Sequence, residues 1–148
     1  MPRHHPQPDP IPPGFKRAVP VSTYFAALGK FYVRETPGQP PVWGIHVRHK
    51  HGNRYGTGHG GFIATLADTH MAGFVHHNFP GLRVVTTDLK VKYIRPAYHG
   101  SWLEGHQVEV KREGDYGLVV CDLIARGELV ARCTGRFKLS LKTEPPLL

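Results

Sequence analysis

No stretch of this chain approaches the roughly 20 consecutive apolar residues of a membrane-spanning helix, which argues against a helical span. The N-terminal residues lack the apolar segment of a secretory signal and the Ser/Arg-rich amphipathic pattern of a transit peptide, so a cytoplasmic location is the default expectation. Cysteine is scarce. Cys121 and Cys133 have no metal-like spacing and both fall in apolar, strand-like runs, where they read as buried reduced thiols. Acidic residues are also few, 11 against 19 Lys and Arg, leaving a net charge of +8 that suits an anionic partner. The basic residues form no block, however, and no nucleic-acid motif interleaves them with aromatics. Nucleic acid is therefore not expected; an anionic small substrate would suit the charge as well, but many soluble domains are simply basic and the charge requires neither.

Proline is not scarce, and its placement is informative: seven of the 14 prolines fall within residues 1–20. Such a segment cannot form a helix or a central strand. It is expected to be a flexible arm outside a single domain over 21–148, a length adequate for one core. His4-His5 is too short for a tag or a metal site.

Beyond the arm, Ser22 is a plausible cap for a short helix over 23–30, followed by strands near 31–34 and 42–48. The one long helix is expected from 61 to about 77. Phe62, Ile63, Leu66, Ala67, Met71, Phe74 and Val75 form its wide apolar stripe, and Thr65, Asp68, Thr69, Ala72 and His76 the opposite one. Four strand-like runs follow, at about 83–95, 101–112, 116–126 and 129–141, separated by turn signals. In the last run Leu129, Ala131, Cys133, Phe137, Leu139 and Leu141 are expected on one face and Arg132, Thr134, Arg136, Lys138 and Lys142 on the other. One long helix plus an antiparallel meander is an α+β plan, with the helix on the concave face of the sheet.

The chemistry-bearing feature is Asn53-Arg54-Tyr55-Gly56-Thr57-Gly58-His59-Gly60-Gly61, a polar Gly-rich loop that runs directly into the long helix. Glycines at a helix mouth let a substrate approach free backbone N–H groups, and those donors suit a developing oxyanion. Asp68 is the one carboxylate on that helix, a residue type that an apolar segment has little structural reason to carry. Together they suggest a carbonyl-polarising site with a base.

Segment 53–69 resembles the signature of hotdog-fold acyl-CoA thioesterases, in particular the phenylacetyl-CoA group and its mitochondrial relatives. Asn53 lies six residues before His59 and Asp68 nine after it, as that signature requires. A second match is 86–97, where Tyr93, Pro96 and Ala97, then Gly100, are similar to the family's Tyr-x-x-Pro-Ala strand end. The resemblance spans roughly 42–141. It implies a hotdog fold, thioester hydrolysis without metal or prosthetic group, and dimers paired into tetramers. A hotdog dehydratase or hydratase would need a different His/Asp or His/Glu arrangement, which is not found here. The alternative from another class is a non-catalytic acyl-CoA-binding module.

Under this reading Asp68 is the general base that activates water, or else a direct nucleophile. Gly60 offers the oxyanion N–H, and His59 holds the loop or meets the leaving thiolate. Asn53 positions the thioester or the water. Thr86 matches the place where the family often carries a hydroxyl that helps hold the water. Gly61, Thr69, Lys90 and Arg95 are the substrate-binding candidates, the two cations for the CoA phosphates. Tyr93, Phe74 and Trp102 are expected to pack in the core rather than line an acyl tunnel. His46, His49 and His51 invite a metal reading, but no carboxylate or cysteine nearby completes a ligand set, and on a strand 46 faces away from 49 and 51. The eight residues from Gly60 to Asp68 span about 12 Å of helix. If both act on one thioester they must come from two chains, and a homodimer is expected.

Overall fold

The computed structural model describes residues 7–143. Two short strands, β1 (Lys16–Arg17) and β2 (Tyr32–Arg34), flank α1 (Thr23–Leu28). β3 (Val42–His46) and a single 3₁₀ turn (His49–His51) lead to α2 (Gly60–Asn78). The meander β4 (Leu82–Tyr93), β5 (Trp102–Glu113), β6 (Tyr116–Ala125) and β7 (Glu128–Leu141) completes the chain. All pairings are antiparallel, and the sheet order is β1-β2-β3-β5-β6-β7-β4. β4 thus crosses over to the far edge beside β7. The expected α+β plan is present, and the helix and the four long strands start and stop within a residue or two of the expected positions. The strand expected over 42–48 ends at His46 because Arg48 opens the 3₁₀ turn.

Turn chemistry sets the meander. Arg126 (φ 51°) and Gly127 (φ 74°) are both left-handed, as a two-residue hairpin between right-twisted strands requires. Period-2 patterning then turns Gly117, Val119, Cys121, Leu123 and Ala125 of β6 and Ala131, Cys133, Gly135, Phe137 and Leu139 of β7 towards α2. Both cysteines are buried and reduced. Burial pushes the Cys121 thiol far above its ordinary value and Cys133 up to about 12, so neither is a nucleophile at neutral pH.

The Pro-rich segment does not behave as a flexible arm over its described part, which corrects the expectation drawn from composition. Asp9 accepts from the Trp102 backbone N–H (3.0 Å) and from both Nε and a terminal nitrogen of Arg126 (3.0 Å each). Its own carbonyl accepts from His46 Nε2 at 2.7 Å. The Phe15 ring meets Trp102 edge-on at 5.1 Å, and Lys16–Arg17 adds β1 to the sheet edge. Proline forbids ladder bonds only where it stands; Asp9, Phe15 and Lys16 are free to make them. His4 and His5 lie outside the described residues, as do 144–148 of the expected domain. Deleting 1–18 is therefore expected to destabilise the fold rather than leave it intact. Asp9→Ala is expected to lower stability by about 1.5–3 kcal/mol, the range for hydrogen bonds to a charged group. Urea unfolding of both variants measures this, and an unchanged midpoint would show that the strap contributes nothing.

Among the described residues the core includes a histidine. His70 projects from α2 towards the sheet, 1% exposed, stacked 6.0 Å from Trp43, with neither ring nitrogen hydrogen-bonded. It fits because residue 105 on β5 is glycine: a Cβ there would lie 1.8 Å from Nδ1. Burial holds the imidazole at about 3. The folded state refuses a proton that the unfolded chain accepts near 6.5, so stability is intact above pH 6.5 and falls as pH drops from there towards 3. At pH 5 the loss is about 2 kcal/mol. His70→Leu, similar in volume, should flatten that slope. Thermal melts at pH 7 and pH 5 measure it, and equal slopes would acquit His70.

Candidate functional site

The site begins where the polar loop becomes α2. His59 is the helix N-cap, with its Nδ1 accepting from the Gly61 N–H at 2.8 Å. Residue 61 must be small for this, since a Cβ would sit 3.0 Å from that nitrogen. The His59 N–H in turn donates to the His51 carbonyl at 2.8 Å, tying the loop down. Among the described residues no backbone or side-chain acceptor is recorded for the Gly60 N–H, which is left at the positive end of the helix dipole. The Tyr93 hydroxyl donates to the Gly60 carbonyl at 2.7 Å. Gly58, Gly60, Ile63, Tyr93 and Arg95 are among the residues lining a depression of about 270 Å³ here. Tyr93 is 55% exposed, so it is a surface residue of this depression and not the core residue expected from sequence. Phe74 and Trp102 are buried as expected.

Two turns along α2, Asp68 is half-buried on the face turned away from the sheet interior. The Thr86 hydroxyl donates to its Oδ1 at 2.5 Å, fixing the carboxylate against β4. Thr69 lies beside it, also half-buried, and one turn earlier Thr65 shares a 3.1 Å hydrogen bond with Tyr24 of α1. Asp68 and Thr86 are therefore brought together, while Gly60 and Asp68 stay at opposite ends of the helix's first half.

The other sequence-derived candidates are placed differently. Asn53 Oδ1 accepts from the backbone N–H groups of Tyr55 (2.9 Å) and Thr57 (3.3 Å), and its amide donates to Thr57 Oγ1 (2.9 Å). Its side chain closes its own loop rather than reaching Asp68 or Gly60. Arg95 lines the Gly60 depression and pairs loosely with Glu128 at 3.8 Å. Lys90 does not join them. It is registered opposite Thr134, an outward residue of β7, and lines a trough of about 560 Å³ on the other face of the sheet with Glu109, Lys111 and Arg136. The histidines at 46 and 51 have their own work. His46 bonds Asp9, whereas His51 is buried against Phe62, accepting from Arg48 N–H and donating to the Leu28 carbonyl. Burial holds the His51 imidazole below its ordinary value.

Among the described residues no strand pairs with the outer side of β4, although it is 12 residues long. Val85, Leu89, Tyr93 and Ile94 are each about two-fifths exposed or more. An apolar, unpaired edge of this length is a template for another strand.

The chain matches the thioesterase superfamily model over residues 55–132, more than half its length. It is 31% identical over 131 residues to PA0474, a Pseudomonas aeruginosa protein that carries an esterase name, covering 87% of this chain and 97% of that one. Among solved structures, a mutant of the phenylacetic acid degradation protein PaaI from Thermus thermophilus superposes with a TM-score of 0.68 at 30% identity, covering 79% of this chain and 98% of the other. The BH2602 protein from Bacillus halodurans, solved with CoA, gives 0.68 at 29%, covering 80% and 77%. A sheet curled on one long helix, a glycine-opened helix mouth and these matches over most of the chain agree: it belongs to the thioesterase superfamily, has the hotdog fold and is a thioester hydrolase.

Proposed function

We propose that the protein hydrolyses acyl-CoA thioesters to a carboxylic acid and free CoA in a homodimer, each site taking Asp68 from one subunit and the Gly60 N–H from the other. The observation that carries this reading is the separation of two well-held groups. A carboxylate fixed by Thr86 and a free helix-mouth N–H lie about 12 Å apart on one helix, too far to serve one carbonyl carbon. Antiparallel packing of two α2 helices across a two-fold axis, with the β4 edges side by side, brings one subunit's donor to the other's carboxylate and makes two equivalent sites. It also covers the apolar edge of β4. An acyl-CoA substrate suits the +8 charge, since CoA brings several phosphate charges. Relatives solved with CoA support the choice of carrier. Pairing of dimers into tetramers and a cytoplasmic location belong to the same reading.

In the reaction, Asp68 takes a proton from water as its oxygen attacks the carbonyl carbon. The carbonyl oxygen becomes an oxyanion accepting from Gly60 N–H. The carbon–sulfur bond then breaks, the acid forms, and CoA leaves as a thiolate that picks up a proton. Thr86 keeps the carboxylate aimed, and His59 keeps the glycine turn closed. No metal or prosthetic group takes part. The test is free-thiol release from acetyl-, hexanoyl-, palmitoyl-, phenylacetyl- and hydroxybenzoyl-CoA. Turnover of at least one supports the reading and ranks the acyl groups. Binding without turnover of any would make the protein an acyl-CoA-binding module.

A further inference from the structure

We infer that Tyr93 is a positioning residue of the thioester-hydrolysing site, holding the first turn of α2 so that the Gly60 N–H stays aimed at the substrate carbonyl. The inference rests on the oxyanion role proposed for Gly60. Two consecutive glycines, Gly60 and Gly61, form the start of the helix, where backbone freedom is greatest and terminal N–H groups have no intrahelical partner. Unrestrained, such a turn would spread its donor over many directions and lower the fraction of complexes poised to react. Three contacts oppose this: the His59 cap on Gly61, the His59–His51 tie, and the 2.7 Å bond from the Tyr93 hydroxyl to the Gly60 carbonyl. The third is the one that reaches Gly60 itself from outside the loop.

The path of β4 makes this contact specific. Thr86 and Tyr93 are seven residues apart, so a regular strand would send them to opposite faces. The pairing with β7 slips between Thr86 and Asp88, where two steps along β4 match one along β7: Thr86 faces Phe137 and Asp88 faces Arg136. Thr87 is the extra residue of this bulge, held by its hydroxyl donating to the Arg136 carbonyl at 3.0 Å. The face is thereby switched, and both Thr86 and Tyr93 reach α2, one at Asp68 and the other at Gly60. One edge strand braces both chemically loaded points of the helix. Within one chain the ring is 55% exposed and adds little to the core, and phenylalanine would pack against a partner's edge as well, so the hydroxyl contact is the more informative reason for tyrosine here.

Tyr93→Phe removes one oxygen from a partly exposed ring. Its melting temperature should stay close to wild type, its kcat should fall about 10-fold on the fastest thioester of the panel, and its KM and the dissociation constant of free CoA should stay within about twofold. A kcat within twofold of wild type overturns the inference. So does a loss of CoA binding that matches the loss in kcat/KM, because Tyr93 would then shape the pocket instead of aiming the donor. Gly60→Pro, assayed in parallel, keeps the two claims separable. If that variant retains turnover, the oxyanion role of Gly60 fails and Tyr93 with it. If it is inactive while Tyr93→Phe is unimpaired, only the positioning role falls.

Discussion

Asp68→Asn is expected to lower kcat at least about 100-fold, with KM and CoA binding little changed. The amide keeps the shape of the carboxylate and can still accept from Thr86 through its oxygen, so the geometry at β4 survives while the proposed proton acceptor is lost. Steady-state thiol release beside wild type measures this. A rate within a few-fold of wild type would remove Asp68 from the mechanism. Thr86→Val removes the hydroxyl but not the base, and the position is exposed, so its effect should be smaller than that of the Asp68 change. If the two variants were equally inactive, Thr86 would be doing more than orienting Asp68.

Gly60→Pro should be as damaging as the loss of the proposed base, about 100-fold or more in kcat, because proline deletes the N–H proposed to meet the oxyanion. The backbone can take it. Gly60 is the first helical residue, the position where proline is best tolerated, and the preceding residue His59 is extended, at φ −60° and ψ 140°. A Cβ at Gly60 would meet nothing closer than the Tyr93 hydroxyl at 3.4 Å. The variant also tests the subunit arrangement. Asp68→Asn and Gly60→Pro chains are each expected to be inactive alone. Unfolded together and refolded at equal amounts, half of the dimers are mixed, and each mixed dimer has one site with neither lesion. About a quarter of wild-type activity should return. No recovery, with mixed dimers demonstrated by mass, would mean that both groups act from one chain.

Some of this was legible in the residues and some was not. The long helix announced itself by the spacing of Phe62, Ile63, Leu66, Ala67, Met71, Phe74 and Val75, and β7 by strict alternation, because both patterns depend only on local geometry and on which side faces the core. The same helical reading passed over His70, whose burial depends on a glycine 35 residues away in β5. The Pro-rich segment misled for a related reason. Proline content reports what the backbone cannot do locally and is silent on Asp9 meeting Trp102 and Arg126, far along the chain. Of the site, the order and spacing of Asn53, His59 and Asp68 were visible. That Asn53 spends its amide on Thr57, and that Lys90 faces outward, were not.

By itself, then, the sequence determined the chemistry on offer: glycines at a helix mouth, one carboxylate two turns on, and a spacing that would need two chains if both groups serve one thioester. It could do so because composition and helical rise are local quantities. Only the tertiary structure decided which neighbours hold those groups. Thr86 on Asp68 and Tyr93 on Gly60 lie on one strand at opposite parity, and a single extra residue, Thr87, brings both to the helix. Such a bulge exists only in the pairing of two strands, and pairing is a property of the fold rather than of any segment.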